Sequence, residues 1–323
     1  SSPARAGGTV LSLIAAPLSV PVLRAHLDGS LRLPDLDERI SGAGLTTLRG
    51  QVVNLRRISA LERHVRSGMP YTVENELTDR GRGILAVAGL VEAWLARAPQ
   101  GPIALGSEPA KRAIRALVGG WSSTMLHALA ARPLSLTELS SLIGDFSYPS
   151  LERRLSAMRA ARQVEARSTD GTGAKPFDVS QWTRWAVAPL LAAGRCEREH
   201  LSGMTKPLTR IDIEAAFRLA VPLVDLQVAH RGAYLLAIGT DAAGADQEDA
   251  ERVSGVGVEV EDGVITACVS PLESGPPAWA IGTVDSWVDA ILEGKLERLR
   301  LGGEQPALAK VVIESLHAAL FAA

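Results

Sequence analysis

Cysteine is nearly missing: Cys196 and Cys268 are the two in 323 residues. They stand too far apart for a metal knuckle and are too few for a disulfide framework, which fits a reducing cytoplasm and implies no redox chemistry. Histidine is also scarce. His26, His64, His127, His200, His230 and His317 form no pair at metal-ligand spacing, and His127 and His317 fall on helical patterns as lone structural residues. There is no Walker loop, and Gly255-Val-Gly-Val lies in a strand pattern with no helix after it, which argues against a dinucleotide site. No cofactor and no enzymatic role is expected, although carboxylates distant in sequence stay open as acid–base groups if they meet in space. Long apolar runs are missing too: nothing approaches the ~18 to 20 residues of a membrane span, so no membrane partner is expected. The run from Thr9 to Leu23, preceded by Arg5, has the look of a short signal-peptide core. A repeat described below assigns it instead to a first helix.

What is present is a chain with 46% hydrophobic residues, enough for two or three domains. Its net charge of −2 hides an asymmetry. Residues 1–100 hold 12 basic and 9 acidic side chains, residues 101–206 hold 14 and 9, and residues 207–323 hold 8 and 18. Two mildly basic segments thus precede a strongly acidic one, a front suited to a polyanion and a rear repelled by one.

The front repeats itself. Displaced by 103 positions, Leu23, Ala25, Leu31, Leu33, Leu36, Ile40, Leu48 and Glu62 fall on Leu126, Ala128, Leu134, Leu136, Leu139, Ile143, Leu151 and Glu165 without a gap. In the second copy, apolar spacing predicts one helix over Ala113–Ala131, ended by Pro133. Ser135 and Glu138 form a capping-box pattern ahead of a short helix over Leu136–Ile143. Ser147 caps a third helix, with Pro149 in its first turn and Leu151, Leu155 and Met158 as its buried stripe. Gln163–Arg167 alternates as a strand, residues 168–175 are a loop tip, and Phe177–Val179 returns. Three helices followed by a two-stranded hairpin is the order of a winged helix.

A helix fits the B-DNA major groove, and its N-terminal half meets the bases. The second copy places Ser147, Tyr148, Ser150, Arg153 and Arg154 there, with Arg167 and Lys175 flanking the wing tip. Arginine is the commonest reader of guanine, and hydroxyls bind phosphate oxygens. In the first copy the matching region has Thr46, Thr47, Arg49 and Gln51, with Arg63 and Arg66 in the wing. The positions matching Arg153 and Arg154 are Gly50 and Gln51, so the first copy is expected to be the poorer reader.

The second copy's Gly119-Gly120-Trp121, Met125-Leu126, Leu134, Glu138-Leu139, Ile143, Ser147 and Leu151–Leu155 resemble the HxlR family of bacterial winged-helix transcription regulators. In the first copy, Tyr71, Leu77-Thr78 and Gly81 resemble the close of that family's wing. Departures are visible: Leu18 stands where the family has tryptophan, Pro17 and Pro21 interrupt the first helix, and Val179-Ser180 replaces Leu-Thr. Neither copy has a cysteine near its first helix, so the oxidant sensing of some members does not transfer. The resemblance implies double-stranded DNA as partner and dimerisation; a tandem chain can form a homodimer or an intrachain pseudo-dimer, packed through 81–98 and 182–200. Trp94, Trp182 and Trp185 in those segments read as core or interface.

From Leu208 the rhythm becomes that of an α+β domain with a mostly antiparallel sheet: a helix over Asp212–Ala220, strands at Tyr234–Ile238, Gly255–Val260, Val264–Val269 and Ala278–Thr283, and helices at Val284–Leu292 and Leu308–Phe321. Glu261-Asp262-Gly263 is a hairpin turn. Ile281 to Lys295 together with Leu301-Gly-Gly-Glu resembles the end of the sterol-carrier-protein type 2 fold, which implies an apolar tunnel. Phe217, Trp279, Trp287 and Phe321 are its aromatic candidates for contact with a small apolar or amphipathic effector.

The expected architecture is therefore α+β: two tandem winged helix-turn-helix domains, 9–100 and 110–203, and a sterol-carrier-like domain, 207–323. The expected function is a cytoplasmic, nucleoid-bound DNA-binding regulator. Its effector would act through the packing of the rear domain on 182–200 and thereby on the spacing of the two recognition helices. A small-molecule sequestering protein that keeps winged helices as scaffold is the alternative.

Overall fold

The computed structural model describes residues 5–40, 42–66, 71–167, 175–201, 205–226, 232–238, 255–269 and 276–321. The chain divides into two compact units, Ser1–Gly119 with Ala192–Pro207, and Gly120–Leu191 with Leu208–Ala323. The three segments expected from the sequence are thus shared between two bodies.

In the first unit, α1 (Gly8–Ile14) and α2 (Ser19–Ala25) replace the single helix expected at the start, with a bend of 79° between them. Pro17 accounts for the break, because proline lacks an N–H and its ring clashes with the preceding turn. Pro21 is tolerated in the first turn of α2. Then come α3 (Leu33–Arg39), α4 (Leu45–Arg57), the hairpin β1 (Leu61–Arg66) and β2 (Thr72–Leu77), and the long α5 (Asp79–Ala96). Helix α4 buries Leu48, Val52 and Leu55, one face at helical spacing. The chain leaves α4 through Ser59 at φ 55°, where the Ala60 N–H donates to the Leu55 carbonyl at 2.9 Å. The Thr78 hydroxyl donates to the Ser59 carbonyl at 2.7 Å and accepts the Gly81 N–H at 3.1 Å, so one residue ties the turn to the start of α5. Leu31 pairs with Asn75 beside the hairpin. These elements, helices α2 to α4 and a β-hairpin, are a winged helix.

Helices α6 (Glu108–Ser122) and α11 (Val187–His200) each run across the division between the units. The second unit holds α7 (Met125–Ala131), α8 (Leu136–Leu142), α9 (Tyr148–Ala160), β3 (Val164–Ala166), β4 (Phe177–Val179) and α10 (Gln181–Arg184). The helix expected over Ala113–Ala131 is two helices, since Thr124 takes φ 61°, a left-handed conformation that a helix of L-residues cannot carry through. The segment Trp182–His200 is likewise broken, between α10 and α11. The capping box at Ser135 and Glu138 forms, and α9 buries Leu151, Leu155 and Met158. Gly120 is required by close approach, as a Cβ there would stand 2.7 Å from the Met158 sulfur.

Local geometry recurs at the offset seen in the sequence. Helices α3 and α8, and α4 and α9, have identical lengths and start 103 residues apart. Arg162 has φ 61° where Ser59 has 55°, the Gln163 N–H donates to Met158 at 2.8 Å, the Ser180 hydroxyl donates to the Arg162 carbonyl at 2.9 Å, and Leu134 pairs with Phe177.

The rest of the second unit is α12 (Arg210–Ala220), β5 (Gly232–Ile238), β6 (Gly255–Glu261), β7 (Val264–Val269), β8 (Ala278–Gly282), α13 (Val284–Glu293), β9 (Arg300–Gly302) and α14 (Pro306–Phe321). The sheet runs β7-β6-β5-β8-β9; β5 and β8 are parallel and the other pairs antiparallel. Asp262 at φ 51° and Gly263 at φ 80° make the expected tight hairpin. Among the described residues, no single helix is long and apolar enough to cross a membrane.

Candidate nucleic-acid interface

Helix α9 begins at Ser147, whose extended backbone (φ −66°, ψ 148°) sets the entry angle, with Pro149 in the first turn. The Ser147 side chain is exposed and makes no capping bond, unlike the cap expected from the sequence. Tyr148 is 46% exposed and Arg153 is exposed, while Ser150 is half-buried. Arg154 is half-buried, and its guanidinium lies 4.9 Å from the centre of the Phe146 ring. The two adjacent arginines are therefore unlike: Arg153 reaches into solvent, whereas Arg154 lies over an aromatic face, a contact worth roughly 0.5–1 kcal/mol when exposed. Beside the paired strands β3 and β4, Arg167 pairs with Asp178 at 2.8 Å, and Lys175 is exposed. The tip, residues 168–174, lies outside the described residues. The structure thus gathers Ser147, Tyr148, Ser150, Arg153 and Arg154 at the N-cap and first two turns of α9, with Arg167 after β3 and Lys175 before β4.

In the first unit Thr46, Thr47, Arg49 and Arg63 are exposed, and Arg66 pairs with Glu74 at 2.9 Å. Gln51 departs from expectation. Its amide donates to the Ser19 hydroxyl at 3.0 Å, so it ties α4 to α2 instead of facing outward. Arg56 and Arg57, which sequence comparison passed over, end α4 in exposed positions. With Arg63, Ser59 and Thr78 they line an open depression of about 730 Å³ between α4 and β1. The signal is the adjacent arginine pair in Asn54-Leu-Arg-Arg, six residues downstream of Gly50 and Gln51, the positions that match Arg153 and Arg154.

In the C-terminal region, Phe217 and Trp287 are fully buried and meet edge to face at 4.7 Å. Trp279 is half-buried on β8 and lies over Gly302, where a Cβ would come within 2.1 Å of its ring. Phe321 is 36% exposed at the end of α14 and stacks on His317 at 4.9 Å. Two of the four expected effector-facing aromatics are therefore core, in contact with each other. Among the described residues no group of three or more His, Cys, Asp or Glu is placed to hold a metal.

His127 is not the lone helical histidine that its sequence context implied. Its Nε2 lies 3.0 Å from Asp212 Oδ1, and Asp212 is fully buried. The other Asp212 oxygen accepts the Thr209 N–H at 2.8 Å and its hydroxyl at 2.6 Å, which caps α12. At the far end of α12, Arg184 donates to the carbonyls of Arg218 (3.3 Å) and Leu219 (3.4 Å) and lies 3.5 Å from Asp178 of β4. Burial lowers the Arg184 pKa, opposed by Asp178. Helix α12 is thus fastened at one end to α7 and at the other, through Arg184, to strand β4, which carries Asp178.

Against known families, residues 14–100 match the model of HxlR-like helix-turn-helix proteins. Among solved structures, the crystal structure of the diamide-treated YodB from B. subtilis aligns at 24% identity over 28% of this chain and 88% of that one, with a TM-score of 0.27. No curated protein matches the chain.

Proposed function

We propose that the chain is a DNA-binding transcription regulator of two winged helices in tandem, 9–100 and 110–203, followed by a sterol-carrier-like domain, 207–323, that responds to a small apolar molecule. The observation that carries the reading is the exposed N-terminal half of α9. Its uncapped Ser147, exposed Tyr148 and solvent-facing Arg153 stand on a helix that follows α8 as a recognition helix follows its brace. The HxlR-like match to the first copy and the recurrence of its turn geometry at Arg162 and Ser180 support the same fold for the second copy. The protein then acts at the nucleoid, in the cytoplasm, without catalysis or cofactor.

Direct reading by arginine is worth about 1–3 kcal/mol of discrimination per base pair. Selection of bound duplexes from a random pool tests the proposal. The wild-type chain enriches a defined sequence, and Arg153→Ala relaxes preference at one or two positions of it. Failure to enrich any sequence at low salt contradicts the reading.

For the rear domain, the fastening of α12 is the supporting feature, since a ligand that shifts α12 pulls on both α7 and β4. A fluorescent fatty acid serves as probe. Its saturable binding, with a change in operator affinity at fixed salt, is the expected result. Unchanged operator affinity at saturation removes the coupling.

A further inference from the structure

Most of the charge on the first copy's helix sits at the wrong end for base reading, two arginines in its last turn against one, Arg49, in its first two. The first turns of α4 present Leu45, Thr46, Thr47, Arg49 and Gly50, with Arg49 as their one cation and none at the positions that match Arg153 and Arg154. Three exposed arginines instead gather at and beyond the last turn. Arg56 and Arg57 end the helix, and the left-handed turn at Ser59 brings β1 back so that Arg63 borders the same depression. Among the described residues none of the three has an ion-pair partner, whereas Arg24, Arg32 and Arg66 nearby are paired with Glu92, Asp35 and Glu74. Glu62 also lines the depression and leaves its balance positive.

We propose that this notch is a binding site for the phosphodiester backbone of duplex DNA, through which the first module grips without reading sequence. The inference rests on the DNA-binding reading above and assigns the first module its part in it. Three features favour a backbone as the occupant. The depression, about 730 Å³ and open, admits a run of linked phosphates and is far larger than one anion needs. Guanidinium groups match phosphate oxygens in bidentate geometry, and the Ser59 hydroxyl adds a contact of the kind common at backbones. The position, at the C-terminal end of α4, lies away from the half of the helix that enters a groove. The second copy is the internal contrast. Its counterpart of Arg56 is Arg159, held 5.3 Å over the Phe177 ring, and the counterparts of Arg57 and Arg63 are Ala160 and Ala166. The two modules therefore divide the work, one supplying grip and the other sequence preference.

The test measures affinity of the full chain for its selected duplex and for a scrambled one across a salt series. Each lost phosphate contact flattens the log–log salt slope by about 0.9, so Arg56→Ala/Arg57→Ala/Arg63→Ala flattens it by about 2.7 and shrinks the loss between 50 and 200 mM salt by about 40-fold. Both duplexes lose affinity by the same factor. The Arg→Lys triple variant keeps the charge and restores the slope, and Arg63→Ala alone shows about one third of the effect, which guards against misfolding of the triple variant. A triple variant with the wild-type slope, or one that loses affinity for the selected duplex alone, overturns the inference and leaves the DNA-binding reading standing. A wild-type chain that binds neither duplex overturns both.

Discussion

At the residue scale, neighbours of the same type do different work because their surroundings differ. Arg154 rests on Phe146 and Arg153 does not, so truncating them should separate stability from binding. Arg154→Ala is expected to lower the free energy of unfolding by roughly 0.5–1 kcal/mol through the lost ring contact, and Arg153→Ala to leave it unchanged in urea titrations. Glu197 is a second case. Its carboxylate is fully buried and accepts the N–H groups of Gly7 at 2.8 Å and Val10 at 2.9 Å, closing the start of α1 from a helix 190 residues away. Burial raises its pKa above the ordinary 4.5, and the backbone N–H groups pull the other way without prevailing. A raised folded pKa means that the fold favours the protonated form, so this contribution is complete below pH 4.5 and is lost as pH rises through the folded value. Wild type should therefore lose stability relative to Glu197→Gln as pH increases from 4.5, read by thermal unfolding at a series of pH values. Equal pH profiles for the two proteins would remove Glu197 from this role.

At the element scale, what the sequence made legible was local. The capping box at Ser135 and Glu138, the stripe Leu151, Leu155, Met158 and the tight turn at Asp262-Gly263 depend on residues within a few positions, and they stand where their spacing places them. Its Ser135 contacts and Arg132 hold the Glu138 carboxyl down at about 2. The break at Thr124 was not legible, because a threonine in left-handed conformation leaves no compositional trace. Nor was β9, whose three residues become a strand only by pairing with β8. Among the candidate residues, the placement of Ser147, Tyr148 and Arg153 at the start of α9 was readable from helix register. Gln51 was misassigned because its partner Ser19 is 32 residues away, and a half-buried amide follows its hydrogen bond. Glycines of α5 provide a test of the packing. A Cβ on Gly81 would stand 2.4 Å from the Ala60 carbonyl, so Gly81→Ala should cost about 1–3 kcal/mol. Gly89 has open space, and Gly89→Ala should instead stabilise by roughly 0.5–1 kcal/mol, both read by denaturant midpoints.

At the scale of the whole molecule, the long-range links are the least visible in sequence. His127 and Asp212 are 85 residues apart, and nothing in the periodicity of α7 marks the histidine as a partner for a buried carboxylate. Removing it leaves an acceptor buried with fewer partners, so His127→Ala should destabilise the chain by about 1–3 kcal/mol in urea unfolding. The same variant should uncouple operator affinity from the fatty-acid probe while leaving the sequence preference of the bound duplex intact. Charge is also uneven at this scale: residues 1–206 hold 26 basic and 18 acidic side chains, and residues 207–323 hold 8 and 18. The most direct test of the central claim, that exposed cations of these helices grip a DNA duplex, is the affinity of the full chain for its selected duplex as salt is varied. The account predicts a straight fall of log affinity with log salt, made shallower by the Arg56/Arg57/Arg63 alanine variant. An affinity indifferent to salt, or no saturable binding at the lowest salt, would contradict it.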